Sequence, residues 1–504
     1  MSESAHDEPN IDDDGSINAS QDSLVITDRS DEVDSAMSTF FFEIDSENRK
    51  SVVASSVDGA SSAMSEKSSY QASVVNLANT IVGSSMLALP FAFASCGAVL
   101  GVVFLFAFAA AAAFGLHLLA ACALKVGLPA TFRSVTASAL PGEGWSLLVD
   151  GVVAFKCFGV ATSYLVVIGD TLPLVAVSFL NHHDSSALEA RQFWIMAGMC
   201  VAAPLCFAAS LDKLKFTSTL SLVFVVFLTA VVALGSVAPG VIVDDNDDND
   251  DDDDDDDKVH NRGSEGLVAA KFDSTTLSQL TVFIFGFTCH QNVFPITNDL
   301  RGVATGVGGQ GGHTRQVDAV IGTAIMLALV VYLVVAVSGY ATFGAAVQSD
   351  ILSSYAPMPT AGRGGAGVAL VAAARVMVAC LVCFSYPLQC HPCRACLFTI
   401  AASVFPRHLE TPQQRFCFHV GATSLILTLS FVVAMSVTSL GDVLSVVGAT
   451  GSTTVSYILP GIAYAKLFPH PHKKRTFALA LFGSGCVFMP LALVGVALRL
   501  SDPA

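Results

Sequence analysis

The feature that most constrains this chain is a series of apolar blocks, each about twenty or more residues long and almost free of Asp, Glu, Lys and Arg. A helix of that length crosses about 30 Å of hydrocarbon while satisfying every backbone polar group within its own segment. Each block therefore predicts a transmembrane helix. Eleven spans are predicted, near 71–95, 98–124, 148–180, 192–210, 216–239, 276–296, 317–343, 366–388, 415–435, 439–464 and 476–499. The third is too long for a straight crossing and is expected to tilt or to continue past the membrane. With 53% hydrophobic and only 13% charged residues, the 504-residue chain reads as an all-α polytopic membrane protein.

The formal net charge of −17 belongs to two appendages. Residues 1–70 and 240–273 together carry −23, which leaves the membrane body at +6. The first stretch, rich in Ser, Asp and Glu, predicts a disordered acidic cytosolic tail. The second, holding the run Asp244 to Asp257, predicts a self-repelling solvated loop inserted within the membrane-spanning domain 71–499; calcium sites need spaced ligands and turn glycines instead. The opening residues have no basic flank followed by a short apolar core, so insertion is expected to fall to the first span. No basic nucleic-acid face is present.

Lys and Arg bias connecting loops toward the cytosol. With the N-terminus inside, the cytosolic connections hold Lys125, Arg133, Lys213, Lys215, Arg301, Arg315, Arg394, Arg407, Arg415, Lys466, Lys473, Lys474 and Arg475. The opposite side holds fewer: Arg191, Lys258, Arg262, Lys271, Arg363 and Arg499. A cytosolic N-terminus and an extracytosolic acidic loop are therefore expected. The Cys residues fall mostly inside apolar blocks and read as small hydrophobes. The cluster Cys390, His391, Cys393, Cys396 has metal-ligand spacing but no second half, and it reads as thiols and a His where a span meets a short loop.

Two spans break the pattern of an ordinary transmembrane helix. The first carries Asn76 and Asn79, then Gly83, Ser84 and Ser85 in mid-span, then Pro90. The sixth carries Gly286, Thr288, His290, Gln291, Asn292 and Pro295 at similar depth. Gly and Pro interrupt the hydrogen-bond ladder, which is tolerated in the membrane only where the freed groups face protein or a polar cavity. Close helix packing also uses Gly and Ser. A matched pair five spans apart, however, is what two inverted five-helix repeats produce around a binding site.

The segments NLANTIVGSSMLALPFAF, SYLVVIGDTLP (Ser163 to Pro173), FGFTCHQNVFPITNDL and ARVMVACLVCFSYPLQCHPCR resemble signatures of the amino acid/auxin permease family, nearest its sodium-coupled neutral amino acid transporter branch. The resemblance covers about 71–499. It implies about eleven helices with a leucine-transporter-type five-plus-five inverted repeat and one extra helix. It also implies that Asn79 contributes to sodium and substrate binding, and that the amides of Gly83, Ser84 and Ser85 meet the substrate carboxylate. Carbonyls around Phe285, Gly286 and Phe287 would then receive the ammonium. Where the family draws a Thr hydroxyl from the eighth helix, this chain has Cys383 and Ser385; Ser385 supplies the oxygen a hard cation prefers, and Cys383 does not. Sodium and protons therefore both stand as co-substrates, with no resident cofactor expected.

Charged groups within spans are costly and are usually paired or functional. Asp170, near the outer end of the third span, is a candidate for coupling or gating. Lys156 and Arg375 lie deeper, with partners the sequence does not name. His290 reads first as a hydrogen-bonding member of the break and second as a proton-linked group. These residues predict secondary transport of an amino acid by alternating access, with a membrane sensor using the same site as the alternative. No phosphate-binding Gly-rich loop with a Lys is present, so ATP-driven pumping and enzymatic chemistry are not expected. Plasma membrane and vacuolar or lysosomal membrane both fit, and protein partners stay undefined.

Overall fold

A computed structural model describes residues 59–179, 188–207, 215–238, 267–300, 309–355, 366–437 and 439–501. All regular structure among them is helical. The run Asp244 to Asp257 and most of the N-terminal tail lie outside the described residues. The first helix, α1 (Gly59–Ile81), begins inside the stretch expected to be disordered, because SSAMSEKSSYQA carries no Pro and only one Gly next to it to stop a helix propagating backward from the span.

The first predicted span is α1 followed by α2 (Ser85–Cys96), bent against each other by 49°. Between them the Gly83 amide turns back to the Ile81 carbonyl at 2.9 Å instead of continuing the ladder. Gly97 then takes φ +87, and a Cβ there would lie 2.7–2.8 Å from the backbone of Val268 and Ala269. Only glycine fits this corner. The same segment pairs Lys271 N with Cys96 O at 2.7 Å and Ala98 N with Val268 O at 2.9 Å, so the entry to the sixth span is stitched to the exit of the first.

The second span is α3 (Ala98–Val126), and the short amphipathic α4 (Phe132–Ala139) leads into α5 (Glu143–Phe179). After α6 (Arg191–Cys206) and α7 (Lys215–Val237), the sixth predicted span again divides, into α8 (Ser274–Gly286), a 3-10 turn His290–Asn292 and α9 (Val293–Asp299). The chain continues through α10 (Gly309–Phe343), the one-turn α11 (Ile351–Ser354), α12 (Ala366–Val404) and α13 (Pro412–Ser436). The tenth span runs from α14 (Leu440–Val447) through wide π turns over Gly448–Ile458 into α15 (Leu459–Leu467), and α16 (Lys473–Ser501) closes the chain.

Among the described residues eight helices are long and apolar enough to cross a membrane, or nine when the bent first pair is one span. The other two predicted spans are α6, only 16 residues long, and the interrupted α8–α9. Helix α12 corrects the sequence reading. It runs 39 residues through Pro387 and Pro392, so Cys390, His391, Cys393 and Cys396 lie within a helix and not at its end. Arg394 is likewise not a loop residue but buried, donating to Cys206 O and Thr423 Oγ at 2.8 Å each. Neighbouring helices satisfy polar groups beside a membrane proline, which lets the rod continue. The long rods α5 and α12 lie side by side, with Cys393 Sγ 3.4 Å from the Ala154 carbonyl.

Candidate functional site

Both breaks expose peptide groups because a helix end leaves its last carbonyls and first amides without intrahelical partners. In the first break, Val82–Ser84, the Ile81 carbonyl faces inward. In the second, Phe287–Cys289, the amides of Thr288 and Cys289 fold back on the carbonyls of Phe285 (2.9 Å) and Phe287 (3.1 Å). The carbonyl of Gly286 takes no such bond. All of these residues are buried.

A single phenol joins the two breaks. The Tyr332 hydroxyl, from mid-α10, donates to the Ile81 carbonyl at 2.6 Å with the Gly286 carbonyl sharing that proton at 2.9 Å. Its one hydrogen being used, it accepts from Ser85 Oγ at 2.7 Å. The Phe287 ring packs edge-on against it, centroids 5.2 Å apart. Ser84 Oγ bonds Ser163 Oγ of α5 at 2.9 Å. Gly83 faces Tyr164, whose hydroxyl would sit 3.2 Å from a Cβ at that position and which lies beside Gln389 of α12.

The predicted residues thus fall into place unevenly. Gly83 and Ser84 lie in the first break with Ser85 opening α2 beyond it, and Phe285 and Gly286 end α8 with Phe287 opening the second break; the carbonyls expected to receive an ammonium already have donors within the protein in this conformation. Asn79 is buried one turn before the first break, its Oδ1 without a hydrogen-bond partner among the described residues. Ser385 is buried on α12, and no hydrogen bond joins it to Asn79 among the described residues. The buried side chain of His290 lies just past the second break, Nδ1 3.0 Å from Ser456 Oγ in the π turns, and that serine also donates to Thr288 Oγ1 at 3.1 Å. Gly115 of α3 closes this corner: a Cβ there would meet Ser456 O at 2.5 Å and His290 Nε2 at 2.8 Å. Asn292 Nδ2 ties the second break to the first through Thr80 Oγ1 at 2.6 Å.

At one end of the bundle, Asp170 Oδ1 accepts from Arg191 Nε at 2.8 Å, and Arg191 also donates to the carbonyls of Ala434 and Val437 at 3.0 and 2.8 Å. The aspartate therefore clamps α5, α6 and the end of α13. Beside it, Asp350 lies buried in the connector before α11, accepting from Leu352 N at 2.9 Å. Burial first and the Asp170 carboxylate second push the Asp350 carboxyl from the usual 3.8 up to about 7. Arg375 spans the same connector, donating to the carbonyls of Leu352 and Tyr355.

Sequence reasoning missed Tyr332, Ser163, Gln389 and Ser456. The available signal for the first was a lone tyrosine in the aliphatic stretch ALVVYLVVAV, since a buried phenol needs a partner. Its partners lie at separations of 251 and 46 residues, which no local pattern reveals.

Residues 66–499 match the family described as transmembrane amino acid transporter protein. Similar curated proteins include vacuolar amino acid transporter 5 of Schizosaccharomyces pombe, 33% identical over 85% of this chain and 94% of that protein. Vacuolar amino acid transporter 6 of Saccharomyces cerevisiae is 30% identical over 80% of this chain and 91% of its own length. Among solved structures, "Inward facing conformation of Mhp1" shares the fold, with a TM-score of 0.50 at 14% identity over 86% of this chain and 90% of that one.

Proposed function

This chain belongs to the transmembrane amino acid transporter family, the amino acid/auxin permeases, whose members are transporters and not enzymes; from that premise we propose that it carries an amino acid across a vacuolar membrane by alternating access, together with a cation. The observation that carries this reading is the meeting of two broken helices at Tyr332. The first amides of α2 are oriented for a carboxylate, as helix N-termini are. The freed carbonyls of the second break suit an ammonium group. A substrate zwitterion bound between them takes over the hydrogen bonds that Tyr332 and Ser85 make in the closed arrangement.

In this reading α6 and the pair α8–α9 complete eleven crossings, arranged as two inverted five-helix repeats with α16 added, and the N-terminus faces the cytosol. The vacuolar assignment is supported by the names of the relatives, and the orientation by the excess of Lys and Arg on one side. Asn79 and Ser385 are the side chains available to a sodium ion, while a proton is the other candidate for the co-transported charge. The breaks bind ligand while the α5–α12 scaffold stays fixed and the first and sixth spans rock against it.

The test is uptake of labelled amino acids into proteoliposomes containing the purified chain, with sodium and pH gradients imposed separately. Saturable accumulation of at least one amino acid supports the reading. An amino acid that binds without ever crossing would convert the protein from carrier to sensor.

A further inference from the structure

Lys156 of α5 is an intramembrane cation that the proposed transport site does not use. It is 2% exposed, and its Nζ donates to the Thr288 carbonyl at 3.4 Å. Thr288 is in the second break, where its carbonyl has lost the ladder: the amide four residues on, Asn292 N, bonds Cys289 O instead. The lysine stem is fixed against Gly451 in the π turns, where a Cβ would sit 2.7 Å from Lys156 Cβ. The wide turns and this glycine together make room for the side chain to lie across the bundle.

No carboxylate forms an ion pair with Lys156 among the described residues. The titratable groups facing it are Cys157 on its own helix and Cys289 and His290 at the break. On α12, Cys390 and Cys393 face the adjoining turn of α5; the π turns place Gly451 against the lysine stem. An ammonium in hydrocarbon with a carbonyl as its main compensation is expensive and is retained where it performs a task. Freed carbonyls at such a break are also the ligands a transported hard cation needs. A lysine ammonium is a compact point charge that can occupy that position and, unlike a metal ion, can release its charge by losing a proton.

We propose that Lys156 is the resident cation of the second break, so that the charge moving with the substrate is a proton carried on Lys156 Nζ and not sodium. The step balances simply: the amine takes a proton from hydronium on the acidic side, releasing water and giving an ammonium that holds the Thr288 carbonyl. When the bundle opens to the other side, the ammonium returns that proton to water. This rests on the transporter reading above and names its coupling ion.

The experiment uses the full chain in proteoliposomes, as wild type, Lys156→Gln and Lys156→Arg, each first checked for a monodisperse peak on size exclusion. Wild type is expected to accumulate labelled amino acid under a pH gradient and to be indifferent to a sodium gradient. Both variants are expected to lose accumulation above equilibrium, with any residual exchange flat from acidic to neutral pH. Wild-type accumulation driven by sodium overturns the proposal whatever the variants do, as does either variant accumulating substrate under a pH gradient as wild type does. Failure of wild type to exchange any amino acid, with or without gradients, sinks the transporter reading itself, a distinguishable result.

Discussion

The hydroxyl of Tyr332 lies 2.9 Å from the carbonyl oxygen of Gly286, and the same phenol is 2.6 Å from the Ile81 carbonyl across the bundle. One side chain thereby satisfies the freed backbone of both broken spans. The breaks are linked through it: the Ile81 carbonyl also accepts from the Gly83 amide, whereas the Gly286 carbonyl has Tyr332 as its donor, so α1–α2 and α8–α9 cannot separate without breaking one of the two phenol hydrogen bonds.

Tyr332→Phe keeps the ring and its packing on Phe287 while removing that donor. The variant should lose about 1–3 kcal/mol of stability, the cost of leaving the buried Gly286 carbonyl unpaired. It should also transport more slowly. Thermal unfolding in detergent and initial uptake rates check both outcomes; an unaltered melting temperature would mean that the carbonyls find another donor.

Gly115→Ala forces a methyl group into the space held by Ser456 O and His290 Nε2. Overpacking of this kind costs about 1–3 kcal/mol, and here it also displaces the turn that follows the second break. Gly322→Ala is the control, because nothing lies within 4 Å of its added Cβ. That substitution should change stability by no more than about 1 kcal/mol, in the stabilising direction. Equal effects of the two would refute the packing argument.

Asn79→Ala should separate stability from function. Its buried Oδ1 has no partner, so its removal spares the fold a desolvated acceptor. The melting temperature should hold or rise while apparent substrate or cation affinity falls. Normal transport and normal cation dependence would remove Asn79 from the site.

The Asp170–Arg191 pair is mostly shielded, at 15% and 19% side-chain exposure. Asp170→Asn leaves Arg191 held by two carbonyls and uncompensated, which should cost about 1–3 kcal/mol. A double-mutant cycle with Arg191→Gln isolates the pair's own contribution. Coupling indistinguishable from zero would reduce the clamp to a coincidence of packing.

Asp350 should give stability a particular pH dependence. Its folded pKa, about 7, lies above the ordinary 3.8, so between those values the folded chain keeps a proton that the unfolded chain has released. Stability from this group therefore falls as pH rises through that window and is level above it. Burial sets most of the shift; the Asp170 carboxylate adds to it, and the Leu352 amide and Arg375 oppose it. In Asp350→Asn the slope should flatten, a result read from unfolding temperatures across a pH series. Parallel curves for the two proteins would show that Asp350 does not titrate there.

Much of the architecture was legible because membrane spans are local objects. The block from Ala98 to Val126 is a helix on its apolar length alone, and Gly83 and Gly286 mark the two breaks through their own lack of a side chain. Boundaries were read less well. The sequence around Pro387 and Pro392 suggested an end to the eighth span, yet α12 continues to Val404 with α5 packed alongside it. Lys156 and Asp170 were recognisable as costly charges, but Thr288 and Arg191 were not recognisable as what holds them.

The amino-acid order by itself determined that the chain lives in a bilayer, how many apolar segments it offers, and where two of them interrupt their backbone. Those properties depend on neighbours within a few turns. Only the tertiary structure decided that Tyr332, Lys156 and Ser456 fill the interruptions. Which distant side chain reaches a freed carbonyl depends on the packing and rotation of whole helices, quantities that arise between segments and leave no trace in either one alone.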